Sequence, residues 1–154
     1  MHLFEENIKN LGLNIPELPK ALANYVPYKI VGKTMYISGQ APVQNGELIY
    51  KGKVGSDITI EDGIEAARLC VTNIIAAVKA GLEGDWGKLD SFVKLTGFVN
   101  CQDDFTDQPK IINGASDLLV DIFGDQGRHA RVAVGLNALP LGIAVEIDAI
   151  VQLK

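Results

Sequence analysis

The residues after position 128 constrain this chain most. His129-Ala130-Arg131-Val132-Ala133-Val134-Gly135 is followed by Leu139-Pro140, then by Ala144-Val145-Glu146-Ile147-Asp148-Ala149-Ile150-Val151. Both runs are rich in β-favouring residues, with a Leu-Pro-Leu-Gly turn between them, which predicts strands over 131–138 and 143–153. Along the second strand, Ile143, Val145, Ile147, Ala149 and Val151 face one way. Glu146, Asp148, Ile150 and Gln152 face the other, a side too mixed for simple core or simple solvent. It fits a subunit interface containing a polar pocket. An arginine among Val and Ala needs an anion, because an unpaired charge is costly away from water. That anion is either an internal carboxylate, with an Arg131–Glu146 pair as the simplest case, or a ligand.

The rest of the chain supplies partners for these strands. Residues 3–11 read as a short helix ended by Gly12, with Leu3, Phe4, Ile8 and Leu11 near one face. Pro16 and Pro19 punctuate an extended approach to β-rich segments at 25–31 and 34–40. Gly32-Lys33 between those segments is a two-residue hairpin signal, and Asn45-Gly46 marks another tight turn. The longest helix starts after Thr59, whose cap position is reinforced by Asp62. Its apolar stripe is Ile60, Ile64, Ala67, Val71, Ile74, Ile75 and Val78, with Gly81 as terminator. Trp86, Asp85 and Asp90 belong to a loop covering the core, and residues 92–99 form a strand. Pro109 suits the first turn of a helix reaching Phe123, with Ile112, Leu119, Ile122 and Phe123 on its inner face. The order is ββαβαββ, an α+β sandwich with two helices packed on one face of a mixed sheet.

Composition narrows the class of function. At 154 residues the chain suits one domain, 1–154, of which 1–20 is an N-terminal extension. A net charge of -5 with scattered basic residues argues against nucleic acid as a partner. Two cysteines, Cys70 and Cys101, make neither a disulfide framework nor a metal pattern. With only two histidines, one of them His2, no protein-built metal site is expected. The start lacks the basic-then-apolar order of a signal peptide, and no apolar run is long enough to span a membrane. A cytoplasmic location without membrane contact is the expectation.

Ser38-Gly39-Gln40 after a hairpin, Phe98-Val99 with Asp104-Phe105, Ala130-Arg131, Leu139-Pro140 and Val145-Glu146-Ile147-Asp148-Ala149 occur in a fixed order. In that order, over about residues 20–153, they resemble the RidA family of enamine/imine deaminases, formerly the YjgF-type or translation-inhibitor family. The longer N-terminus, Asn113-Gly114-Ala115-Ser116-Asp117 and Gly127-Arg128-His129 look like a longer, divergent branch. The resemblance implies a chorismate-mutase-like fold and a homotrimer with ligand clefts between subunits. It also implies hydrolytic deamination of 2-imino or 2-enamino acids to 2-keto acids and ammonia, without cofactor.

The resemblance assigns roles residue by residue. Arg131 matches the carboxylate-binding arginine, whose planar fork lysine cannot reproduce. Glu146 matches the residue that positions the attacking water, and beside Arg131 it would stay ionised. Tyr25 corresponds to a tyrosine shaping the pocket from the first strand, or is a half-buried strand aromatic. Ser38 and Gly39 would present hydroxyl and backbone groups to the substrate, with a simple bulge as the alternative for Gly39. Asn113 would donate its amide to the ligand, or serve as a helix-end hydrogen-bonder. Two departures stand out. Ala133 replaces a cysteine common in short members, and His129 replaces a proline. His129 either joins the site or is a hydrogen-bonded loop residue. Cys101 is either a buried small residue or a reactive thiol. A small-carboxylate sensor without catalysis is the alternative function, with RNA cleavage a third disfavoured by the acidic charge.

Overall fold

The computed structural model describes residues 1–18 and 23–154, so the extended approach expected around Pro19 lies outside the described residues. Helix α1 (Leu3–Asn10) precedes the hairpin of β1 (Tyr28–Val31) and β2 (Thr34–Gln40), joined at Val31 and Thr34 as Gly32-Lys33 predicts. A two-residue-per-strand hairpin, β3 (Val43–Gln44) and β4 (Glu47–Leu48), leads toward α2 (Ile60–Gly81). Then follow β5 (Leu89–Asn100), α3 (Gln108–Phe123), β6 (Ala130–Leu136) and β7 (Val145–Leu153). The five long strands order as β1-β2-β7-β5-β6, with β5 and β6 parallel and the other pairs antiparallel. This is the mixed α+β architecture that the sequence predicts, and α2 and α3 pack on one face of the sheet.

Local chemistry places the helices. The Thr59 side chain accepts from the Asp62 amide at 3.1 Å, satisfying one free donor of α2. Gly81 does not end α2 by a left-handed turn; positive φ falls on Glu83 and Gly84. Gly81 instead makes room, since a Cβ there would lie 2.5 Å from Met35 Cε on β2. Gly97 does the same on β5, where a Cβ would lie 2.5 Å from Ile112 Cγ1 of α3. These close approaches seat both helices on a core of Val71, Ile74, Ile75, Leu95, Ile111, Ile112, Ile147 and Val151.

In α1 only Phe4 and Ile8 are buried, while Leu3 and Leu11 are exposed, so the expected four-residue stripe narrows to two. Phe4 meets Phe123 edge-on with centroids 4.9 Å apart, beside Trp86. Glu5 accepts from Trp86 Nε1 at 2.8 Å and pairs with Lys79 at 2.7 Å. Burying two such side chains stabilises the docked helix by roughly 3–6 kcal/mol. The N-terminal segment is therefore packed onto the sandwich.

The alternation expected along β7 is present: Val145, Ile147, Ala149 and Val151 are buried, with Glu146, Asp148 and Ile150 between them half-buried. Among the described residues no helix covers the second face. Tyr36, Val132, Val134 and Leu136 expose apolar surface there.

Candidate functional site

Arg131 pairs with Leu95 across the parallel β5–β6 ladder, and Leu95 is buried beneath the helices. Paired residues share a face, so Arg131 points toward α3. There its Nη1 donates to Asn113 Oδ1 at 2.7 Å and to Ser116 Oγ at 3.2 Å. Asn113 and Ser116 stand three apart on α3 and so lie on one side of it. Gly114 holds that helix against α2, because a Cβ there would lie 2.5 Å from the Ile64 carbonyl oxygen. Among the described residues no carboxylate forms a salt bridge with Arg131. Its two partners are neutral and leave the positive charge uncompensated.

Glu146 pairs with Phe98 and projects from the other face of the sheet. The Arg131–Glu146 pair does not exist within the chain, and the expectation that the arginine keeps Glu146 ionised fails. Burial, then the neighbouring Asp148, instead push the Glu146 carboxyl above its ordinary value. What Glu146 does meet is Gly39. Between Ile37 and Gln40, β2 spends three steps where β7 spends two, a bulge at Ser38-Gly39. A Cβ on Gly39 would lie 3.0 Å from Glu146 Cδ. Gly39 is thus both a bulge residue and the neighbour of the carboxylate.

Two other residues depart from expectation. Ser38 Oγ donates to the Val26 carbonyl at 2.6 Å, so its hydroxyl hydrogen fastens the preceding segment. Tyr25 lies in a bend before β1, not in the strand, and is 57% exposed. The Asn113 amide oxygen is engaged by Arg131, so its first task is to orient the guanidinium.

His129 joins the Arg131 cluster. Its Nε2 lies 2.9 Å from Ser116 Oγ and its Nδ1 2.7 Å from the Gly127 carbonyl oxygen. Burial, then nearby Arg131, hold its pKa below the usual histidine value, against the opposing Gly127 hydrogen bond. Ser116 was not singled out from sequence as a site residue. The signal was its i+3 spacing from Asn113. A recess of about 290 Å³ opens here, lined by Ser116, Asp117, Val120, Arg128, His129 and Arg131. A larger open recess of about 400 Å³ at the start of α2, lined by residues 55–62, holds none of the expected site residues. Cys101 is buried with Gln108 Nε2 at 3.6 Å from its sulfur, and Cys70 is fully buried, its thiol pushed well up by desolvation.

One chain therefore carries two separate polar clusters. Arg131, Asn113, Ser116 and His129 gather at the β6 edge, and Gly39 and Glu146 gather on the helix-free face. Among the described residues no helix is long and apolar enough to cross a membrane.

Comparison with known proteins agrees with this architecture. The chain is 40% identical over 149 residues to Protein TCP17 of Trypanosoma cruzi, covering 96% of this chain and 92% of that one. It superposes on the crystal structure of Atu1372, a protein of unknown function from Agrobacterium tumefaciens, with a TM-score of 0.93 and 44% identity. That match covers 99% of this chain and 93% of the other. E. coli TdcF, crystallised with bound serine, aligns with a TM-score of 0.63 and 27% identity over 90% of this chain and 94% of TdcF. A family model described as "YjgF/chorismate_mutase-like, putative endoribonuclease" matches residues 5–151. The chain belongs to the YjgF/chorismate mutase-like family.

Proposed function

We propose that this protein hydrolyses small reactive 2-imino and 2-enamino acids to 2-keto acids and ammonia, without a cofactor, at sites completed between copies of the chain. The observation that carries this is the Arg131 guanidinium, fixed by Asn113 and Ser116 yet left without a carboxylate partner among the described residues. A planar fork held by neutral partners is suited to bind an incoming carboxylate through two parallel hydrogen bonds. Water then adds to the imine carbon, and the tetrahedral product collapses to a ketone as ammonia leaves. The substrate is already activated, so positioning supplies most of the catalysis. Glu146 orients that water and takes its proton, a role favoured by a half-buried carboxyl whose proton affinity is raised.

Arg131 and Glu146 stand on opposite faces, so the reaction requires the helix-free face of one copy against the Arg131 edge of another. The exposed Tyr36, Val132, Val134 and Leu136 on that face favour such packing, with a trimer as the closed assembly. The crystallised TdcF–serine complex supports a small amino-acid-like ligand in a related protein. Residues 1–154 act as one domain in this reading, in the cytoplasm, as a longer branch of the family marked by His129 and Ala133.

The test generates an imino acid with an amino-acid oxidase and follows its loss with wild-type and Arg131→Ala protein. Acceleration by the wild type, abolished in the variant, is expected. A folded Arg131→Ala protein with unchanged turnover overturns the assignment. A second reading follows from the same geometry. The Arg131 cluster is assembled within one chain while Glu146 is remote from it, as a carboxylate sensor without chemistry requires. Pyruvate binding through Arg131, without acceleration of any small imine, selects that reading.

A further inference from the structure

With a neutral ring, the hydrogen bonds around His129 admit only one arrangement of protons. The Gly127 carbonyl can only accept, so Nδ1 of His129 carries the hydrogen on that 2.7 Å bond. The neutral ring therefore has a bare Nε2, to which Ser116 Oγ must donate across 2.9 Å. Arg131 Nη1 has hydrogens alone to offer, so it donates to the Ser116 oxygen across 3.2 Å. With a neutral ring, the serine hydrogen is spent on His129.

A proton on the ring reverses this. Nε2–H becomes the donor to Ser116 Oγ, and the serine hydrogen must leave that line. It cannot point at Arg131, which accepts nothing. The recess of about 290 Å³ that Ser116 shares with Arg131 and His129 is then open to it. We propose that Ser116 is a second anchoring donor for a carboxylate held by Arg131, brought into play when His129 takes up a proton. This rests on Arg131 being the carboxylate-binding residue.

The electrostatics oppose that proton while the recess holds no anion. Arg131 on β6 lies beside the ring, Arg128 adds a second cation paired at 3.3 Å with Asp125, and Asp117 on α3 is the acidic group lining the recess. Lys94 on β5 pairs with Ala130 and so sits on the other face of the sheet. An arriving carboxylate supplies the missing negative charge, which favours protonation of the ring. By reciprocity, the factor by which a proton tightens anion binding equals the factor by which the anion tightens proton binding.

The test titrates the two histidines of the intact protein by NMR, with and without saturating pyruvate, the His129 signal being identified by its loss in His129→Gln. Pyruvate should raise the His129 pKa. Pyruvate affinity should rise about tenfold between pH 8 and pH 5.5, the worth of one charge-assisted hydrogen bond. His129→Gln should bind pyruvate with a flat pH dependence, and Ser116→Ala with a weaker one than wild type, because the charge coupling to His129 remains while the serine donor is lost. Pyruvate that binds wild type but not Arg131→Ala, with affinity independent of pH and the His129 titration unmoved, overturns this inference and leaves the Arg131 assignment standing. Pyruvate that fails to bind, or binds Arg131→Ala equally, overturns both.

Discussion

Arg131 and Glu146 sit on opposite faces of one sheet, Arg131 registered with Leu95 under the helices and Glu146 with Phe98 on the open side. Neither reaches the other within a chain. If both act in one site, two singly inactive variants should rescue each other. Mixing unfolded Arg131→Ala with unfolded Glu146→Gln and refolding together should restore activity at about a quarter of sites, the fraction receiving both intact halves by chance. Turnover of the mixture, against each variant refolded alone, measures this. No rescue counts against a shared site.

Arg131→Lys keeps the charge and loses the fork. Losing even one charge-assisted hydrogen bond, worth roughly 1.5–3 kcal/mol, should reduce imine turnover about 10-fold or more. Loss of Arg131 should barely change the unfolding midpoint, because the anion it serves comes from outside the chain. Chemical denaturation read beside turnover separates the two effects.

Gly39 lies against the Glu146 carboxylate, where an added Cβ would come within 3.0 Å of Glu146 Cδ. Gly39→Ala should displace that carboxylate by a few tenths of an ångström and lower kcat more than it raises KM, since water placement matters in the transition state. An equal loss in Glu146→Gln and in the double variant would show that Gly39 acts through Glu146.

Burial and Asp148 raise the Glu146 pKa in the folded chain. The native state then binds this proton more tightly than the unfolded chain does, so stability falls as pH rises through the window from the ordinary carboxylate value to the raised one. Above that window the charged carboxylate costs stability, and below the ordinary value the cost is gone. Glu146→Gln should therefore raise the thermal midpoint at pH 8 and leave it unchanged near pH 4, by calorimetry.

Glu5 serves the buried Trp86 N–H and Lys79 together, and those bonds hold its pKa below the ordinary value. Glu5→Ala leaves the indole N–H unpaired next to the core. The expected loss is about 1–3 kcal/mol, read as a lower denaturation midpoint at constant m.

Much of this was legible in the residues. Thr59 with Asp62 announced the start of α2, Pro109 the first turn of α3, and Gly32-Lys33 the first hairpin, because caps and turns are local contacts. The alternation along β7 showed its buried side, because successive side chains take opposite faces. Tyr25 was misplaced by three residues, since β-rich composition runs past the point where pairing begins.

Within each strand the order of amino acids determined which residues share a side with which. It could not determine whether Arg131 on β6 and Glu146 on β7 share a face. That parity depends on how both strands register on β5, and a shift of one residue would reverse it. Only the tertiary structure turned Arg131 toward Asn113, Ser116 and His129, residues up to 18 positions away, and set Glu146 against Gly39. Packing made that choice: burying Leu95, Ile147 and Val151 against α2 and α3 fixes the sheet's orientation, which puts Arg131 on the side of Leu95 and Glu146 on the other.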